Sequence, residues 1–130
     1  MAHFARLDSN SKVTDTYVVD NNWVLDSDSK ESEAVGIKYL QDLYKTTDTF
    51  VQYSMTTRIR AIIPTIGDTY NVSKDRFESP QPPQCPSWVR NSSTGIWEPP
   101  VARPAVTSKN ENWVWDETTQ SYMDCNPDNN

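Results

Sequence analysis

The chain has 130 residues, of which 12 are basic and 18 acidic, giving a formal net charge of -6 with only 35% hydrophobic residues. No apolar run approaches the roughly 18–20 residues of a membrane-spanning helix, and no Lys/Arg cluster offers itself to a phosphate backbone, so neither a membrane nor a nucleic acid is expected as partner. Aromatic residues nevertheless reach 11%, with five Trp, which is too many for a disordered chain and predicts a fold organised by a few large side chains.

The opening Met1-Ala2-His3-Phe4-Ala5-Arg6 has no charged, apolar and small-residue zones in succession, so no export signal is expected. A first hairpin is predicted from Phe4 to Val13 around the loop Leu7-Asp8-Ser9-Asn10, with a strand over 16–25 continuing it. One helix follows. Ser32 is its cap, Glu33 lies in its first turn, and Val35, Ile37, Leu40, Leu43 and Tyr44 form its apolar stripe up to Lys45. Gly36 weakens that helix, since glycine costs about 1 kcal/mol there against alanine. Strands are then expected over 49–55 and 58–63, the second closed by Pro64.

Three more hairpins follow the same rule, an aromatic residue on each side of a four-residue polar loop. Tyr70 faces Phe77 across Val72-Ser73-Lys74-Asp75, Trp88 faces Trp97 across Asn91-Ser92-Ser93-Thr94, and Trp113 faces Tyr122 across Asp116-Glu117-Thr118-Thr119. In this register 90 lies opposite 95 and 115 opposite 120, with Trp115 on the same face as Trp113. Proline-rich segments around Pro82-Pro83 and Pro99-Pro100 flank the third hairpin. They read as semi-rigid straps between hairpins rather than as docking peptides for a proline-recognising domain. The fold class is α+β, mostly β. Residues 1–78 form an N-terminal α+β domain, a β-ribbon or sheet with one short helix. Residues 79–130 are consecutive aromatic hairpins joined by proline-rich straps.

Residues suited to chemistry are sparse. His3, the only histidine, sits beside the N-terminus and reads as a half-exposed strand residue. Cys85 and Cys125 match no metal spacing and read as free thiols. Asp8-Ser9-Asn10-Ser11-Lys12 and Asp26-Ser27-Asp28-Ser29-Lys30 begin like calcium loops. Lys stands where a ligand is needed, so both read as solvated turns. The three glycines form no phosphate cradle, and Asn71-Val72-Ser73 and Asn91-Ser92-Ser93 read as chance matches to a glycosylation acceptor. No catalytic residue, cofactor or metal is therefore nominated. What remains is aromatic surface. Trp23, Trp88, Trp97, Trp113, Trp115 and Tyr122 are the interface candidates, because Trp and Tyr supply core energy and binding hot spots by the same physics. Most are assigned to packing between hairpins, with Trp23 and Trp115 the two turned toward a partner.

Whole-chain motifs add a resemblance. Met1-Ala2-His3-Phe4-Ala5-Arg6-Leu7-Asp8 with Val18-Val19-Asp20-Asn21, Glu31-Ser32-Glu33-Ala34-Val35-Gly36-Ile37, and Tyr70-Asn71-Val72-Ser73-Lys74-Asp75-Arg76-Phe77 form its first half. Pro86-Ser87-Trp88-Val89, Ile96-Trp97-Glu98-Pro99-Pro100 and Trp113-Val114-Trp115-Asp116-Glu117 form its second. In this order they resemble a family of small structural-type proteins of marine tailed bacteriophages, cyanophages above all. The chain departs from that family at 58–66, where relatives carry a more glycine-rich, basic stretch, and after Asp124. The resemblance implies a protein of the virion, assembled in the host cytoplasm, with the major capsid protein or other virion proteins as partners. It implies no catalytic residues. Size, acidity and exposed edges suit a capsid decoration or cement protein, with strand edges and straps laid across capsid subunits by β-augmentation and self-association as a further option. The alternatives are a tail or neck adaptor or fibre-associated protein and, behind these, a carbohydrate-binding module using the Trp pairs. The polar end Asn126-Pro127-Asp128-Asn129-Asn130 is expected to order only against a neighbouring chain.

Overall fold

Strand β1 (Ala2–Leu7) lies at the centre of a three-stranded antiparallel sheet, with β2 (Val13–Val19) on one side and β3 (Thr49–Tyr53) on the other. The computed structural model describes residues 1–107 and 110–126, and the polar end at 127–130 lies outside them. Ala2, Phe4, Ala5 and Leu7 are all buried, so β1 is covered on both faces. Phe4 and Phe50 point to one face, where they pack with Ala2, Val19, Val24 and Leu40 of α1 (Glu33–Tyr44). Ala5, Leu7, Val13, Val51 and Tyr53 point to the other and meet Phe77. Phe77 belongs to the hairpin of β4 (Thr69–Asn71) and β5 (Arg76–Glu78). The result is three layers, helix, sheet and hairpin, around a core split by the sheet.

Local chemistry fixes the ends of these elements. Ser32 caps α1 by accepting a hydrogen bond from the Val35 amide, and Lys45 closes it in a left-handed conformation. The expected stripe holds at Leu40 and Ile37, but Leu43 and Tyr44 are exposed. The buried helix face is centred on Gly36 and Leu40 instead, and the Tyr44 ring rests beside Tyr17, 5.0 Å between centroids. Strand β2 stops at Val19 rather than running to 25. The Asp20 carboxylate accepts from the Asn22 amide and starts a single 3₁₀ turn, Asn21–Trp23.

The two Asp-Ser-Asx-Ser-Lys segments form the same turn. Asp8 Oδ1 accepts from the amides of Asn10 and Lys12, and Asp26 Oδ1 from those of Asp28 and Lys30, at 2.8 and 3.0 Å in each case. Ser11 and Ser29 take positive φ. One oxygen of each carboxylate, Oδ1, is thus occupied by its own backbone. The longer first turn moves the register of the first hairpin: Phe4 pairs with Tyr17, and Leu7 with Val13 across a bulge.

Residues 58–63 form no strand. Arg60 holds them by donating to the Gln52 carbonyl at 2.5 Å and pairing with Glu33 and Asp75. The Glu33 carboxylate also accepts from the Gln52 amide. Both polar groups of Gln52 on the outer side of β3 are therefore taken, which blunts that sheet edge.

The chain divides into two compact units, Met1–Pro80 and Gln81–Asn130. The second carries the hairpins β6 (Val89–Arg90) with β7 (Trp97–Glu98), and β8 (Trp113–Asp116) with β9 (Ser121–Asp124). Among the described residues, all the fully buried hydrophobic side chains lie in the first unit. The fold is mostly β with one α-helix and several small antiparallel pairs. No helix among the described residues is long and apolar enough to cross a membrane.

Three of the hairpins share one ten-residue frame, 69–78, 89–98 and 114–123. The four loop residues follow Asn71, Asn91 or Asp116, and the fourth of them, Asp75, Gly95 or Gln120, takes positive φ. Asn71 accepts from the Lys74 amide and Asn91 from those of Ser93 and Thr94, while Asp116 accepts from the Thr119 hydroxyl. The frame sets the register. Tyr70 faces Phe77 as expected, but Arg90, not Trp88, faces Trp97, and Trp115, not Trp113, faces Tyr122. The left-handed residue has to close the loop before the return strand begins, and this shifts the last two hairpins by two residues while leaving each ring on its expected face.

Candidate interaction surfaces

The six aromatic candidates fall into different settings. In the second unit, Trp88, Trp115 and Tyr122 come together edge to face, Trp115 lying 6.4 Å from Trp88 and 5.2 Å from Tyr122 between centroids. Glu117 holds the cluster. Its carboxylate accepts from the Trp115 indole N–H at 2.8 Å and from the Ser87 amide and hydroxyl at 2.8 and 2.7 Å, joining the β8–β9 loop to the residue before Trp88. The Trp115 hydrogen bond, aided by Ser87 and opposed by partial burial, holds the Glu117 carboxyl below its ordinary pKa. Trp113 is held the same way by Glu111, which also accepts from Thr107. Hydrogen bonds from Thr107 first and Trp113 second lower the Glu111 pKa. Trp97 lies under the Arg90 guanidinium, 4.5 Å from its ring centre.

These rings are only half-buried. Among the described residues the Trp88 indole N–H has no hydrogen-bond partner. On the reverse face of β8–β9, the cross-strand pair Val114 and Met123 is 46% and 50% exposed. The second unit therefore clasps its aromatic rings to one another without closing a core over them.

Trp23 belongs to a different surface, in the first unit. The 3₁₀ turn lifts it beside α1, where its ring stacks on Tyr39 at 5.6 Å with the planes 2° apart, and it stays 55% exposed. A groove of about 570 Å³ opens on one side of the pair, lined by Leu25, Val35, Lys38 and Asp42 among others. A second of about 260 Å³ opens on the other, toward Val18, Asp20 and Leu43. Tyr39 was outside the predicted stripe. The signal for it is the i, i+4, i+8 run Val35, Tyr39, Leu43, a second apolar line beside the core-facing one.

Sequence reasoning also missed Arg60, whose guanidinium touches Glu33, Asp75 and the face of the Tyr70 ring. Partial burial opposes its charge, but hydrogen bonding to Asp75 and the charge of Glu33 outweigh this and raise its pKa. Asp75 is lowered by the Tyr70 hydroxyl and then by Arg60. These groups neutralise one another and tie three segments together. His3 packs its ring on Tyr53 at 5.5 Å, and Cys85 and Cys125 are unbridged. No group of three or more potential ligands is placed to hold a metal among the described residues.

Comparisons with family profiles, with curated proteins and with solved structures gave no significant match to this chain.

Proposed function

We propose that this chain is a non-enzymatic structural protein of a tailed-phage particle, decorating and cementing the lattice of the major capsid protein. The observation that supports this reading is the half-covered aromatic and aliphatic surface of the second unit, where Trp88, Trp115 and Tyr122 on one side and Val114 and Met123 on the other await cover. Apolar surface of this kind marks sites of protein association, and rings held by Glu117 are preorganised, which reduces the entropy lost on docking. The motif resemblance to phage structural proteins supplies the setting. A protein that binds only the assembled lattice stabilises it by mass action, so particles lacking it are expected to release DNA at a lower temperature.

Quantitative mass spectrometry of purified particles tests the reading. A copy number close to that of the major capsid protein is expected. A count of roughly six to twelve would move the protein to the tail or neck, where closed cyclic symmetry rules. Absence from particles would reject a structural role altogether.

A further inference from the structure

We propose that the Trp23–Tyr39 groove is a receptor for the proline-rich strap at 99–106 of a second copy of this chain. The inference is independent of the phage reading. Val35, Tyr39 and Leu43 lie one helical turn apart, so the apolar line beside Trp23 runs about 12 Å along α1, the length of about four residues of polyproline II. An extended proline segment is recognised by flat aromatic faces with grooves between them, and its ordering cost is low because the chain is already extended. The stacked pair with a groove on either side has that form.

The strap supplies the matching chemistry. The two proline segments differ in how far they are occupied. Around Pro82 the chain folds on itself, with the Cys85 amide donating to the Pro82 carbonyl and the Gln81 amide group donating to the carbonyls of Pro86 and Trp88. Pro99-Pro100-Val101-Ala102-Arg103-Pro104-Ala105-Val106, by contrast, has no helix or strand from 101 onward. Its valines, Val101 and Val106, are 50% and 56% exposed, and Arg103 is its only charge. In the larger groove Lys38 and Asp42 pair at 3.0 Å and cancel, so the one net charge beside the stacked pair is that of Asp20, in the smaller groove. Arg103 is therefore complementary to Asp20 at the smaller groove. A sugar would also stack on Trp23, but it needs several directed polar partners, and the lining of the larger groove is mostly carbon. Groove and strap are different surfaces, so each copy offers one of each and the contact propagates head to tail.

The test uses the full-length chain and a fluorescent peptide of residues 99–106. Saturable binding is expected. It should weaken at least about tenfold when Trp23→Ala removes the exposed ring, and equally when the three peptide prolines are replaced by alanine. Leu43→Lys, at an exposed position, should repel Arg103 and weaken binding in the same way, with unchanged thermal unfolding of both variants as the control for folding. Sedimentation velocity of the unlabelled chain should show concentration-dependent association with the same dependence on Trp23. Absence of peptide binding, binding indifferent to Trp23→Ala, or Trp23-dependent binding to a glycan array without peptide binding would each overturn the proposal.

Discussion

Gly36 stands inside α1, at its fourth position, where glycine costs about 1 kcal/mol relative to alanine, and the reason lies 32 positions earlier in the chain. A Cβ built at this position collides with the edge of the Phe4 ring, with Phe4 Cε2 and Val24 Cγ1 both at 2.9 Å. Phe4 is fully buried between α1 and the sheet, so it has nowhere to retreat. Gly36→Ala should therefore destabilise the protein in spite of its helix-favouring backbone effect. Overpacking a tight core costs about 1–3 kcal/mol, so after the backbone gain the net loss should be up to about 2 kcal/mol. Thermal unfolding measures it, and a raised melting temperature would show that the ring yields. Sequence periodicity registers Gly36 as a defect because it sees only neighbours along the helix; the contact that demands a glycine is long-range. Tyr39 escaped for a related reason, since a line of residues on a second helix face acquires meaning only when Trp23 is stacked on it.

At the scale of elements, the hairpins show which part of a structure is written locally. Alternation put the aromatic rings on the right face of the last three ribbons, whereas in the first the bulge sends Phe4 and Val13 to opposite faces. Tyr70 opposite Phe77 followed from a loop whose bounds were read correctly. The other two registers depended on which residue takes the left-handed conformation. Gly95 has the backbone freedom that position needs, but a loop read as 91–94 stops one residue short of it, and Gln120 carries no signal for positive φ at all. The clasp between elements was equally hidden, because Glu117 gains its partners from Ser87, 30 residues away. Its titration should expose it. The Trp115 and Ser87 hydrogen bonds depress the folded-state pKa below the ordinary glutamate value of 4.5. The resulting stabilisation is complete above that value and disappears as pH falls through the folded one. The stability difference between wild type and Glu117→Gln, followed by Trp fluorescence in denaturant, should thus be largest near neutrality and shrink below about pH 4.5. An offset that stays constant down to pH 2 would mean that the ionised carboxylate is not what holds the ring.

For the whole molecule, the distribution of burial predicts unequal stability. Among the described residues, every fully buried hydrophobic side chain lies between Ala2 and Phe77, within the unit Met1–Pro80. A chain of about this size is near the lower limit at which a single core suffices, but burial of β1 on both faces gives it more core than one sheet face would. A fragment ending at Pro80 should therefore fold and unfold cooperatively, and in the intact chain the amides of β1 should exchange most slowly. The amides of β8 and β9 should exchange orders of magnitude faster, since half-covered rings and two short hairpins offer little resistance to local opening. A fragment that stays unfolded in calorimetry, or equal protection of β1 and β8, would show that stability is not set by burial within the first unit. The proposed capsid role makes a further demand on the second unit. If the second unit is completed by whatever covers Trp88, Trp115 and Tyr122, protection at 113–124 should rise sharply in the particle-bound protein and that of β1 should barely change, whereas an unchanged pattern would leave those rings without a role in binding.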